Sequence, residues 1–436
     1  MRRSAYDRQI LVLALPALGA LAAEPLYLLA DTAIVGHLGT PQLAALALAA
    51  TVLSGVVAVC NFLAYGTTAQ VARLHGAGLE ERAGEIAAQA LWLALGVGVV
   101  VCAVCAAFAD PITSALGGDG EAARLAARYL RIGALGLPCA LVALAGQGYL
   151  RGVSDLRTPL VIVLVANAAN VVLEVVLVYG FGTGLDGSAI GTVIAQLGMG
   201  VAFAAVLLRA PARSRRPDPA QLRALARVAG DLLVRTGALL GCFTLASAVL
   251  ARVSAPALAA HQIAFQLFIF LALVLDAIAI AGQVLVGRML GAGDAAAAVA
   301  AARRMIGWSL VVGTAFGAGL FALSGVLPRA FTSDPAVLEQ ARELWPLFAL
   351  MQPVGAVVFA LDGILIGAGD TRWIAGAMAF AALGCFAPIA LAALHFGWGV
   401  VGVWAGLDVL MVTRLATMAL RFGGRRWVVV GAPRAA

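Results

Sequence analysis

Three carboxylic acids stand where nearly every neighbour is apolar. Glu24 and Asp31 lie in AAEPLYLLADTAIVGHLG at 22–39, and Glu174 ends the polar run of VANAANVVLEVVLVYG at 165–180. Seven residues separate Glu24 from Asp31, a spacing that puts both on one face of a helix. Pro25 removes a backbone donor beside them, which bends a helix and frees a carbonyl oxygen for a cation or water. Asn167, Asn170 and Glu174 recur at i, i+3 and i+7, a single polar stripe, and Thr192 adds a hydroxyl from the next apolar run. A carboxyl buried among amides and hydroxyls can load and release a proton near neutral pH. The same oxygens suit Na⁺. Asp31, Glu174, Asn170, Thr192, Asn167 and Glu24 are therefore the candidate cation-coupling residues, with Pro25 as hinge.

The elements that hold these acids must lie in lipid. Of 436 residues, 63% are hydrophobic and 12% charged, with a mean hydropathy of +1.00. A water-soluble fold of this length has too little interior for that much apolar surface. Runs of about twenty apolar residues, the hydrocarbon thickness of a bilayer, recur twelve times. Their length predicts helices, since a barrel needs short alternating segments. The N-terminus lacks the short apolar core and cleavage site of a signal peptide. All 29 basic residues are arginine, and the formal charge is +7. They crowd the N-terminus (Arg2, Arg3) and alternate loops as far as Arg434, with Arg124, Arg128 and Arg131 as exceptions. That bias predicts a multi-pass protein of the cytoplasmic (inner) membrane with both termini cytoplasmic, and it argues against nucleic acid as a partner. The six cysteines all fall in apolar runs, where Cys102 and Cys105 read as small filler.

An internal repeat organises the chain. One offset of 215 residues, without a gap, pairs Pro41 with Pro256, Arg73 with Arg288, Pro138 with Pro353, Gly148 with Gly363 and Asp155 with Asp370. The fold expected is all-α integral membrane, with twelve transmembrane helices in two six-helix lobes related by a parallel repeat. The lobes are expected at 1–208 and 229–436, joined by a cytoplasmic arginine-rich linker at 209–228. Such an architecture favours an alternating-access carrier.

The duplication also separates scaffold from specialised residues. Asp31 corresponds to Ala246, Glu24 to Leu239 and Glu174 to Ile389, so the second half lacks all three acids. Asp276 corresponds to Asn61, and Asp362 to Gln147; polarity in both halves makes these four candidate cavity-lining residues. Asp408 and Arg414 are six apart, too far round a helix to pair well. His261 and Gln262 read as structural hydrogen-bonding residues. The chain has no H-E-x-x-H, G-x-S-x-G or membrane-depth Ser/His constellation, so an enzyme is not expected.

The segments ALPALGALAAEPLYLLADTAIVGHLGT at 14–40, LRGVSDLRTP at 150–159, IGAGDTRW at 366–373 and NVVLEVVLVYG at 170–180 resemble the multidrug and toxic compound extrusion (MATE) transporters, in particular the DinF-like branch. The resemblance covers essentially the whole chain. It implies a helix bent at Pro25 and a first-lobe carboxylate cluster coupling H⁺, in preference to Na⁺, to export of an organic, often cationic amphiphile. By position Asp31 matches the branch's first-helix aspartate, and Asn170, Glu174 and Thr192 match its partners. The branch usually has aspartate where Glu174 stands. One extra methylene moves the oxygens by roughly 1.5 Å, which suits a proton better than a fixed Na⁺ geometry. A subgroup with an acid on the seventh helix is matched only by Asp231, beside Arg235, near that helix's cytoplasmic end. Beyond the coupling ion no cofactor is expected, no metal site is certain, and the partners expected are a small organic substrate and the bilayer, for a monomer. A lipid-linked precursor or polysaccharide flippase of related architecture is the alternative reading.

Overall fold

A computed structural model describes residues 5–432; Arg2, Arg3 and Arg434 lie outside the described residues. Apolar side chains alone cannot satisfy backbone polar groups in lipid, so each span closes its own hydrogen bonds as a helix. The spans are α1 (Ala5–Gly36), α2 (Thr40–Gly76), α3 (Glu80–Ala107), α4 (Gly120–Ala134 and Leu137–Gly152), α5 (Arg157–Gly180) and α6 (Leu185–Arg209). The second series is α7 (Pro219–Val253), α8 (Ala255–Gly291), α9 (Ala295–Ala322), α10 (Pro335–Gly367), α11 (Thr371–His395) and α12 (Gly399–Gly423). Eleven are long and apolar enough to cross a membrane individually; α4 makes twelve when its two halves, bent by 51°, count as one span. No strand occurs among the described residues.

The duplication is visible in the helix boundaries. Shifted by 215, the starts at Thr40, Glu80 and Gly120 fall on Ala255, Ala295 and Pro335, and the ends at Gly76, Ala107 and Gly152 fall on Gly291, Ala322 and Gly367. The turns repeat as well. Ser154, at φ 67, corresponds to Gly369, at φ 79, so the shared tight loop keeps a left-handed residue even where a side chain replaces glycine. The copies have diverged inside the helices. α2 breaks at Asn61 and α4 at Leu135–Gly136, whereas α8 runs unbroken and α10 is continuous through Pro346 and Pro353. Ser254, Asp294 and Asp334 cap α8, α9 and α10 by accepting from Ala257 N, Ala297 N and Ala336 N. Their counterparts Gly39, Leu79 and Asp119 make no such bond.

Among the described residues two compact units result, one of 16–229 with 432 and one of 5–15 with 230–431. The N-terminus differs from the sequence expectation: the start of α1 belongs to the second unit. There Asp7 accepts from Arg304 Nε at 2.6 Å, Arg304 Nη2 at 2.7 Å and Trp308 Nε1 at 2.9 Å. The arginine-rich connector is likewise fastened rather than free. Gln89 on α3 donates to Arg216 O and accepts from Asp218 N, and Trp92 Nε1 donates to Arg215 O at 2.8 Å.

Candidate cation-coupling site

The first unit brings α1 and α5 together as parallel neighbours joined at three levels. Asn167 Nδ2 donates to Ala23 O at 3.0 Å, and Tyr179 OH donates to Ile34 O at 2.6 Å. Between these two backbone anchors lie Asp31 and Glu174, buried, their carboxyls close enough for the charges to interact. Intervals of eight and three residues along α1 match seven and five along α5, so the anchors set the register that puts acid opposite acid.

Helix α6 completes the pocket through two hydroxyls. Ser188 Oγ donates to Asp31 Oδ1 at 2.8 Å, and Tyr129 OH lies 3.4 Å from Ser188 Oγ. Thr192 Oγ1 donates to Glu174 Oε1 at 3.3 Å, accepts from Asn170 Nδ2 at 3.3 Å and lies 3.1 Å from Tyr27 OH. Each acid thus has its own hydroxyl, and the two hydroxyls are one helical turn apart. Glycine permits this approach. A Cβ at Gly191 would lie 3.2 Å from Glu174 Cγ, and one at Gly187 would lie 3.0 Å from Leu177 C. This G-x-x-x-G spacing seats α6 against the backbone of α5. Immediately after Glu174 the helix widens into a π turn over Val176–Gly180, a distortion common at functional sites. Thr183 Oγ1 donates to Leu177 O at 2.6 Å, supplying a partner where the regular ladder is lost.

Among the described residues, two acceptors in the pocket are buried without a hydrogen bond, Glu174 Oε2 and Asn170 Oδ1. A proton bridging the acids, or a small cation, is the chemistry such oxygens can take up. Metal-ion groups of three or more His, Cys, Asp or Glu are absent among the described residues.

The sequence-stated candidates therefore separate. Asp31, Glu174, Asn170 and Thr192 share one hydrogen-bonded pocket. Asn167 stands at another level, holding Ala23. Glu24 is exposed and makes no hydrogen bond among the described residues, so it is not part of the cluster. Seven residues span about 10 Å of helix. A shared face does not bring Glu24 to the depth of Asp31. Pro25 itself sits inside a helix that continues to Gly36. Ser188, Tyr27 and Tyr129 are additions that sequence reading did not single out. Ser188 precedes Thr192 by four and Tyr27 precedes Asp31 by four, the same-face spacing that could have found them.

The second unit builds a different polar centre. Asp362 is not cavity-lining as expected; it is buried, with Oδ2 accepting from Arg235 Nη2 and Arg414 Nη2 at 2.6 Å each. Arg414 thus pairs across helices and not with Asp408. Asp231 accepts from Thr371 Oγ1 at 2.8 Å, so α7 spends its acid on α11. Gln147 accepts from Arg151 Nη2 at 3.0 Å, while Asn61 and Asp276 are half-buried. His261 and Gln262 both engage Ser247, at 3.1 and 3.4 Å.

The MatE family model matches residues 16–176 and 237–394, one segment in each half of the duplication. The chain belongs to the MatE family. Members of this multidrug-efflux family are multi-pass membrane transporters, not enzymes. Among MatE relatives, Protein DETOXIFICATION 44, chloroplastic, of Arabidopsis thaliana is 32% identical, the match covering 96% of this chain and 82% of that protein. DNA damage-inducible protein F of Escherichia coli is 29% identical over 95% of this chain and 91% of that one. In fold, this MatE chain is similar to an outward-facing multidrug resistance MATE transporter of the MOP superfamily, with a TM-score of 0.85 at 22% identity and 97% of each chain covered.

Proposed function

We propose that this MatE transporter exchanges external H⁺, in preference to Na⁺, for an organic, often cationic amphiphilic substrate by alternating access. Its place would be the cytoplasmic membrane, with both termini cytoplasmic. The observation that carries the reading is the buried meeting of Asp31 with Glu174, each held by a hydroxyl of α6, in a half whose repeat has Ala246 and Ile389 instead.

Two carboxyls facing each other out of water cannot both be charged without strong repulsion, so the pair is suited to holding a proton. Ser188 and Thr192 are four apart on one helix face. A shift of α6 against α5 would change both hydroxyl contacts together, and with them the charge the pocket tolerates. Proton occupancy would then bias the unit between two packings, the differential interaction that coupling requires. Glu174 in place of a shorter aspartate favours the proton over a fixed Na⁺ coordination shell.

Proteoliposomes loaded with a cationic dye separate the two ions. An imposed pH gradient without Na⁺ is expected to drive dye efflux at several times the rate seen with a Na⁺ gradient at uniform pH. Efflux driven by Na⁺ alone, with no response to the pH gradient, would reverse the assignment.

A further inference from the structure

The second unit carries an amphipathic groove at the arginine-bearing end of α11 and α12 that the transport reading does not use. It encloses about 500 Å³. At its mouth, Arg421 Nε and Nη2 bind Asp370 Oδ2 and Oδ1 at 2.6 and 3.1 Å, and the Arg421 guanidinium lies 4.9 Å from the Trp373 ring centre. Arg372 also lines the groove; it is exposed and makes no hydrogen bond or ion pair among the described residues. With Asp370 neutralising Arg421, the mouth keeps one net positive charge. Behind it the lining becomes apolar, from exposed Trp373 past Gly376 to Phe380. The eight helical steps from Arg372 to Phe380 carry the groove about 12 Å along the span.

Charge at the surface and an apolar wall running inward match a phospholipid in its bilayer orientation. The repeat shows that the groove is an addition and not scaffold. Asp370 and Arg372 have counterparts in Asp155 and Arg157, but Arg421 corresponds to Val206, Trp373 to Thr158, Gly376 to Val161 and Phe380 to Val165. At Gly376 a Cβ would meet nothing within 4 Å, so glycine here serves no close helix contact; its missing side chain leaves the groove open.

We propose that this groove holds an acidic phospholipid, its phosphate against Arg372 and an acyl chain along Gly376 and Phe380. Binding is selective for a net negative headgroup, because Asp370 cancels Arg421 and leaves the positive charge of Arg372 uncompensated at the mouth.

The test uses the full-length protein in phosphatidylcholine vesicles containing one tenth dibrominated phosphatidylglycerol or dibrominated phosphatidylcholine, bromine on the acyl chain. The signal is the part of tryptophan quenching lost in Trp373→Phe. Brominated phosphatidylglycerol is expected to quench it with about fivefold higher apparent affinity than brominated phosphatidylcholine. Arg372→Gln should abolish the preference. Gly376→Leu, which fills the groove without touching a charge, should reduce quenching by both lipids. Equal quenching by the two lipids in wild type would overturn the proposal. So would a preference that survives Arg372→Gln, quenching by both lipids that Gly376→Leu leaves unchanged, or a preference removed by millimolar inorganic phosphate, since the anion alone would then be the ligand.

Discussion

Asp31→Asn is expected to bring pH-driven dye efflux to the level of protein-free vesicles, a loss of at least about tenfold, without lowering the amount of protein inserted or its monodispersity in detergent. The amide keeps the size of the side chain and can still accept from Ser188 Oγ, whose bond to Asp31 Oδ1 is 2.8 Å. It also relieves the repulsion between two buried carboxyls, so the fold has no reason to weaken. What it removes is the ability to exchange a proton opposite Glu174. Near-normal pH-driven efflux by this variant would remove Asp31 from the coupling step. Poor insertion would show that the side chain acts through the fold, and Asp31→Glu, which restores an acid, would then fail to recover transport.

Asp362→Asn is expected to do the opposite, injuring the fold first. Two buried guanidiniums converge on Asp362 Oδ2 at 2.6 Å each. Removing the only acid of this triad leaves their charges facing each other out of water, which costs about 3–5 kcal/mol for a broken buried pair. In a chain of this size the melting temperature in detergent should fall by roughly 3–5 °C. An apolar replacement of all three, Arg235→Met with Asp362→Leu and Arg414→Leu, should recover most of that loss, because the desolvation of the charges disappears with them. If the single substitution leaves the melting temperature within a degree or two of wild type, the triad is not what holds α7, α10 and α12 together.

The contrast between these two acids bears on what can be read from a sequence. The twelve spans and the duplication were legible because each depends on local properties, hydropathy over twenty residues and a fixed offset. The helix ends at Gly76 and Gly291, or Gly152 and Gly367, fall where the repeat puts them. Asp31, Glu174, Asn170 and Thr192 were legible as a group because lipid makes any acid conspicuous and the second half lacks these acids. The direction a side chain takes was less legible. Glu24 has the heptad spacing to join Asp31, but it is separated from it by about 10 Å of helix. Asp362 looked like cavity lining because Gln147 is its counterpart. Its partners come from helices 127 residues before and 52 after it. Ser188 and Tyr129 escaped notice because hydroxyls are cheap in a helix and gain meaning only from the acid they meet. The clamping of the connector by Gln89 and Trp92 uses backbone carbonyls, which no residue pattern announces.

The account stands on the Asp31–Glu174 pair exchanging a proton when substrate binds. The most direct measurement is proton release from detergent-purified protein in weakly buffered solution at neutral pH on adding a saturating cationic dye. Wild type should release protons in proportion to the protein present, and the double substitution Asp31→Asn with Glu174→Gln should release none while still binding the dye. Equal release from both would contradict the account, because the exchanging proton would then reside elsewhere.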